Sequence, residues 1–396
     1  MRDVYIVDAV RTSIGKLGGD FKHVTADYLA SHVIEGLLNR VGTTIEVNEV
    51  ILGQARQSAD AANVARVAAL RAKVPIEATA YTVHRQCGSG LQAINNAAQQ
   101  IALGLNDVII AGGTESLSTA PYYLRNARYG YSIGNGILLD PNTESQFNSQ
   151  PSELYGQFNM GMTAENLVEK YNISRKQQDE FALRSQQLAL KAIAAGTFKQ
   201  EIIPYKLKTK KSTTVIDTDE HPRETTLEKL GKLPPVFKEG GSVTAGSSSG
   251  RNDGASVVLL MSEDKLKQYN LKPKAKIIAQ AVSGVSPEIM GIGPVPSTEK
   301  ALAQANLTMN DIDLIELNEA FAAQALAVIQ QGNFPLDKVN VNGGAIALGH
   351  PIGATGAIIL TKLVHELERS GGRYGIATLC IGGGQGITTI IENCTI

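Results

Sequence analysis

The chain has 396 residues, 43% of them hydrophobic, which is enough for a large buried core and suits two to three domains or one large composite. Lys plus Arg number 37 and Asp plus Glu 38, a net charge of −1, and this balance argues against a nucleic-acid or anionic-membrane binder, since both rely on a basic excess. Three cysteines make no disulfide framework, no apolar run reaches transmembrane length, and the N-terminus enters a strand-like run at residues 4–10 with no signal-peptide core, so a cytoplasmic location is expected.

Short β-rich runs alternate with amphipathic helical ones, and glycine is abundant, which is the pattern of an α/β fold. After the first strand, residues 28–40 read as a helix and 49–52 as a strand. Residues 81–90 turn from a strand into a helix, and 108–111 form the next strand. Residues 119–250 have a different texture. The stretch 129–161 is rich in Tyr, Asn, Gln, Gly, Ser and Pro, 163–195 reads as helix, and 206–232 is polar and charged. Within it, 206–211 alternates Lys with Leu207 and Thr209, a solvated edge strand or loop first and an anion-binding face second. A strand resumes at 255–261. A second helix-then-strand unit follows at 298–305 and 313–316, repeating the plan of the first.

In this repeat Gln54 falls opposite Asn318, Cys87 opposite His350, and Gly113 roughly opposite Cys380, offsets of 264, 263 and 267. Chance likeness between two α/β units is the plain alternative. The near-constant offset favours a duplicated unit with a long insert. The expected division is 1–118 plus 251–272 as the first half, 119–250 as an inserted loop domain, and 273–396 as the second half.

Four places carry chemistry. Cys87 sits at a strand-to-helix turn, where the positive helix end favours thiolate, and Gly88 and Gly90 leave room for a substrate. His350 occupies a similar turn before Pro351, which suits the first helical position, and its register opposite Cys87 makes it a base for that thiol. His23, His32, His84, His221 and His365 lack that setting and are read as structural, with His84 kept in view beside Cys87. Cys380 ends a strand before a glycine run that offers backbone N–H groups, but no Gly-Lys-Ser/Thr follows, which disfavours a P-loop. Asn318 stands where a strand gives way to a helix, so helix N-cap is one reading and a catalytic role another. There is no Cys-x-x-Cys and no His-Glu-x-x-His, so metal chemistry is disfavoured. Two cysteines, a histidine and a donor-rich glycine loop point instead to thioester chemistry.

At these residues the sequence resembles the thiolase family, within it the branch that moves acetyl groups between coenzyme A thioesters. The motifs are Cys87-Gly-Ser-Gly-Leu, Asn318-Glu-Ala-Phe-Ala, Gly349-His-Pro-Ile-Gly-Ala and Cys380-Ile-Gly-Gly-Gly-Gln-Gly, in that order. The resemblance implies a five-layer α-β-α-β-α fold of two similar halves, with the insert binding coenzyme A. It implies that Cys87 is acylated, His350 activates it, and Cys380 is the acid/base at the acetyl methyl. Asn318 would position a water for one oxyanion hole, and the N–H groups of Cys87 and Gly382 would form the other. Ser249, Ala245 and Arg223 would meet coenzyme A, and Met160 would line the acyl pocket. No metal or redox cofactor is implied; coenzyme A and acetyl-CoA enter as substrates, and a homotetramer or homodimer is the family expectation. His84, Thr114, Asn159 and Arg251 depart from the common pattern. Arg251 stands where the family carries Ile or Leu. The rival readings are a degradative thiolase for longer chains, a ketoacyl synthase, which would have histidine at Asn318, and a silent coenzyme A-binding scaffold.

Overall fold

The computed structural model describes residues 1–208 and 212–396. Its first half contains β1 (Val4–Arg11), α1 (Ala26–Val41), β2 (Glu49–Gly53), α2 (Val64–Arg71), β3 (Thr79–Val83), α3 (Ser89–Ala102) and β4 (Val108–Ser116). The insert carries α4 (Met160–Tyr171) and α5 (Arg175–Ala194). The chain then returns as β5 (Asn252–Ser262), which pairs antiparallel with both β1 and β4. The second half repeats the scheme with β6 (Ala275–Gly284), α6 (Pro294–Ala305), β7 (Leu314–Leu317), α7 (Ala322–Gln331), α8 (Ile352–Ser370), β8 (Tyr374–Ile381) and β9 (Gln385–Asn393).

The strand order is β7-β8-β9-β6-β1-β5-β4-β2-β3, and the two halves meet where β1 pairs with β6 at Tyr5↔Lys276 and Ile6↔Ala275. Each half is buried on both faces, so its strands read as nearly unbroken apolar runs rather than alternating ones. Helices α1 and α2 cover the outside of the first half around Leu29, Val33 and Val50. Helices α3 and α8 lie between the halves, where Leu91, Ile94, Leu360 and Leu363 share one core with strands of both halves. Helices α6 and α7 cover the outside of the second half, joined there by α4 and α5 of the insert. Five layers result, as the resemblance implies.

Several boundaries differ from the sequence reading, for local reasons. The run at 163–195 is two helices, because Asn172 adopts a left-handed conformation (φ 54°) and Ser174 opens α5 with a capping box. Pro351 is the N-cap of α8 rather than its first helical residue. Asn318 is not an N-cap: α7 starts at Ala322, with Phe321 in the cap position. In the basic stretch, Tyr205–Lys208 is one strand of a small hairpin with Thr213–Ile216, an exposed edge strand as expected. Residues 209–211 lie outside the described residues.

The insert is tied to the first half by a buried ion cluster. Arg11 on β1, fully buried, donates from Nε to Glu201 (2.7 Å) and from both Nη atoms to Asp219 (2.7 and 2.9 Å). Asp219 also accepts the N–H of Ile14.

Candidate active site

Between β3 and α3 the chain makes a sharp turn. Gln86, directly before Cys87, has φ 45°, a conformation that costs a non-glycine residue on the order of 1–3 kcal/mol and persists only when its surroundings hold it. Those restraints are present: Gly88 N–H donates to the Arg85 carbonyl (2.9 Å), Ser89 Oγ to the Gln86 carbonyl (2.6 Å), and Arg85 N–H to Ser89 Oγ (2.8 Å). The turn delivers Cys87, half-buried, to the N-terminal end of the 14-residue α3.

The second turn is built alike. Gly349 (φ 112°) precedes His350, whose N–H donates to Asn252 Oδ1 (2.9 Å). Helices α3 and α8 approach with almost no room at their first turns: a Cβ on Gly356 would lie 2.5 Å from the Leu91 nitrogen, and one on Gly90 2.8 Å from the Gly353 carbonyl oxygen. Glycine at these positions lets the two helix starts converge, and Cys87 and His350 line one cavity. Glu115, buried at the end of β4, clamps the same junction. Its carboxylate accepts the N–H groups of Ala55 (3.0 Å), Arg56 (3.0 Å) and Gly353 (2.8 Å).

The protonation pattern follows from these contacts. Thr355 Oγ1 donates its single proton to the Pro351 carbonyl (3.1 Å) and sits 2.6 Å from His350 Nδ1, so Nδ1 carries hydrogen and Nε2 is left with its lone pair. Burial, aided by the positive charge of Arg56, holds His350 down at about 4, so it is a neutral imidazole near pH 7 and able to accept a proton. Burial pushes the Cys87 thiol up. The N–H of Gly382, the charge of Arg56 and the N–H of Cys87 itself oppose that push. Cys380, fully buried at the end of β8, is pushed up by burial and by the charge of Cys87, with which it shares the cavity.

Cys87, His350, Cys380, Gly382, Met160 and Ser249 all line this cavity. Gly383 and Gly384 both have φ 86°, which lets the loop after Cys380 curl so that Gly382 lines the same cavity as Cys87. Asn318 is not in the lining, though Ala320 and Phe321 of the same motif are; it is 1% exposed, and neither its Nδ2 nor its Oδ1 has a hydrogen-bond partner. Buried carboxamides are rarely left so, and this one is available to a water or ligand. Its neighbour Glu319 anchors the motif through Ser185 Oγ (2.6 Å), Asn340 Nδ2 (2.7 Å) and the Ile346 N–H (3.2 Å). Ser249 N–H donates to the Ala320 carbonyl (3.0 Å), which joins the loop domain to that motif.

Two expected contacts fall outside the lining. Ala245 is exposed on a short turn capped by Thr244. Arg223 is exposed, with Nη1 3.3 Å from His221 Nε2, and His221 in turn packs beside Gly250 at the cavity. The departures have structural uses. Asn159 caps α4 by accepting the Met162 N–H (2.9 Å), Thr114 Oγ1 donates to the Ala26 carbonyl (2.7 Å), and His84 is exposed. Arg56, Glu115 and Thr355 escaped the sequence reading. The one available signal was a lone glutamate closing the apolar run of β4. Among the described residues no group of three or more His, Cys, Asp or Glu is placed to hold a metal ion, and no helix is long and apolar enough to cross a membrane.

Comparison with known proteins agrees over the whole chain. Residues 4–264 match the model of the thiolase N-terminal domain, and 271–393 that of the thiolase C-terminal domain. An acetyl-CoA acetyltransferase of Syntrophomonas wolfei is 48% identical over 396 residues, covering 99% of each chain. The human mitochondrial 3-ketoacyl-CoA thiolase is 47% identical, again over 99% of each. The crystal structure of the Bacillus anthracis acetyl-CoA acetyltransferase superposes with a TM-score of 0.96 at 49% identity and 99% coverage of both chains.

Proposed function

The chain belongs to the thiolase family, and we propose that it is an acetyl-CoA C-acetyltransferase, joining two acetyl-CoA into acetoacetyl-CoA and coenzyme A, reversibly. The observation that carries this reading is the meeting of Cys87, His350, Cys380 and Gly382 in one cavity.

His350 Nε2 takes the Cys87 proton as the sulfur attacks the thioester carbonyl, then returns it to the departing coenzyme A thiolate. This leaves acetyl-Cys87. The N–H groups of Cys87 and Gly382 hold the tetrahedral oxyanion. Cys380 removes a methyl proton from the second acetyl-CoA. The carbanion attacks the carbonyl carbon of acetyl-Cys87, while a water held by Asn318 supports the enolate oxygen. As the new carbon–carbon bond forms the carbon–sulfur bond to Cys87 breaks, and Cys380 passes the methyl proton to the Cys87 thiolate. Ser249 and the loop domain at 119–250 receive coenzyme A, with Ala245 and Arg223 at its rim. The scheme calls for no metal or redox cofactor. We place the enzyme in the cytoplasm, in lipid metabolism, as a homotetramer or, failing that, a homodimer.

The human relative's name raises a second reading, thiolysis of longer 3-ketoacyl chains. Asn142, Ser145, Gln146 and Ser149 line part of the cavity beside apolar Leu117, Phe237, Met290, Phe321 and Ile352, so chain length is set by the room available and not by polarity. Met160 adds bulk beside Ser149 and Gly382. We therefore expect kcat/KM for thiolysis to be highest with acetoacetyl-CoA in an unbranched series from four to ten carbons. Each added methylene should change it by about 10–200-fold at most. A maximum at eight or ten carbons would promote the long-chain reading.

A further inference from the structure

His350 is held by its own helix. Its Nδ1 lies 2.6 Å from Thr355 Oγ1, five residues on in the first turn of α8, and the Thr355 proton goes to the Pro351 carbonyl (3.1 Å). Both side chains are buried. The turn itself is pinned: Glu115 accepts the Gly353 N–H (2.8 Å), and a Cβ on Gly353 would lie 2.7 Å from the Gln54 Cα. No carboxylate shares in this clamp. Among the described residues no Asp or Glu lies within ion-pair distance of His350. The charged and titratable groups around it are Arg56, Arg251, Glu115, Cys87 and Cys380. Glu115 is committed to the N–H groups of Ala55, Arg56 and Gly353, and Arg56 pushes the imidazole down. Arg251 adjoins His350 through a backbone β-bridge, and the two thiols share its cavity. A hydroxyl oxygen can accept the Nδ1–H and fix the ring, as a carboxylate does in a catalytic triad, but it gives an imidazolium no counter-charge.

We infer that Thr355 is a positioning residue of this site: its hydroxyl locks His350 with hydrogen on Nδ1 and the Nε2 lone pair free, without pairing the ring to an anion, so that Cys87 rests as a thiol and not as half of a thiolate–imidazolium pair. The inference rests on the acyltransferase reading and deepens it. Acetylation then joins two events. As the sulfur electron pair forms the bond to the thioester carbonyl carbon, the Cys87 proton moves to Nε2, while the Nδ1–H stays hydrogen-bonded to Thr355. The proton on Nε2 later leaves with the coenzyme A thiolate. Without the hydroxyl, a buried Nδ1–H has no acceptor. The neutral ring then favours the other tautomer, in which Nε2 already carries hydrogen and cannot receive the proton of Cys87.

The test follows two rates on the whole enzyme as pH is varied: alkylation of Cys87 by iodoacetamide, and acetylation of Cys87 by acetyl-CoA, both read on the digested peptide. In the unmodified enzyme alkylation should climb with pH up to at least about 8.5, the range of a free thiol, with no plateau at low pH. In Thr355→Val acetylation near neutral pH should fall about 10²-fold, the scale of lost general-base help, and the deficit should shrink as rising pH lets hydroxide form the thiolate instead of His350. Alkylation of this variant should follow the unmodified profile, because it draws on thiolate already formed. Thr355→Ser, which keeps the hydroxyl, should restore acetylation, and Thr355→Ala should behave as Thr355→Val does. An alkylation plateau from about pH 5 to 7 in the unmodified enzyme would reveal a resting ion pair and overturn the inference. Undiminished acetylation in the two hydroxyl-free variants would overturn it as well, as would a deficit equal at every pH, the mark of a merely structural Thr355. Ready alkylation of Cys87 with no acetyl-Cys87 at any pH in the unmodified enzyme removes the acyltransferase reading, and the inference with it.

Discussion

Replacing Cys380 with serine should leave Cys87 able to accept an acetyl group while carbon–carbon bond formation falls by about 10²–10⁴-fold. Acetyl exchange between thioesters needs a nucleophile, a base and an oxyanion hole, and Cys87, His350 and the N–H groups of Cys87 and Gly382 supply these without Cys380. Condensation needs one thing more, a group that moves a proton at the acetyl methyl. Burial and the neighbouring Cys87 hold the Cys380 thiol protonated. Serine is nearly the same size but far less acidic, and it cannot take over. The measurement is the rate of labelled coenzyme A exchange into acetyl-CoA beside the rate of acetoacetyl-CoA formation. Equal losses in both would mean that the two sulfurs do not divide the work.

The second large effect is on stability. Arg11→Met strands Glu201 and Asp219 as buried carboxylates, and breaking a buried pair by removing one partner costs about 3–5 kcal/mol. Arg2→Met removes an ion pair to Asp107 whose side chains are each more than a third exposed, and about 0–1 kcal/mol is expected there. Denaturant midpoints of the two variants should therefore separate clearly. Both carboxylates belong to the insert, so Arg11→Met should also loosen the domain that carries Met160 and Ser249, and raise KM for coenzyme A esters. A midpoint for Arg11→Met no lower than that of Arg2→Met would show that the cluster does not hold the insert.

How far the sequence could lead depended on whether a contact was local. Cys87 and His350 were legible because each sits between a strand pattern and a helix pattern only a few residues away, and glycines mark both turns. The broken helix at Asn172 was missed because asparagine in a left-handed turn looks, residue by residue, like any polar position on an amphipathic surface. Asn318 reads as a possible cap because it follows β7 directly, but three more residues outside any helix precede α7. Glu115 was beyond reach: its bond to Gly353 spans 238 residues, and only the folded junction of β4, the Arg56 loop and α8 gives the carboxylate a purpose. Arg56 is similar, since its place on the cavity wall comes from the ends of neighbouring strands and not from any motif around it.

The most direct test of the account is the covalent intermediate. The enzyme incubated with acetyl-CoA, quenched in acid and digested should carry one acetyl group, on the peptide containing Cys87. Free coenzyme A added before the quench should remove it, and prior acetylation should protect Cys87 from limiting iodoacetamide. Acetyl found instead on Cys380 or Cys394, or undiminished alkylation of Cys87 after incubation with acetyl-CoA, would contradict the assignment of Cys87 as the nucleophile.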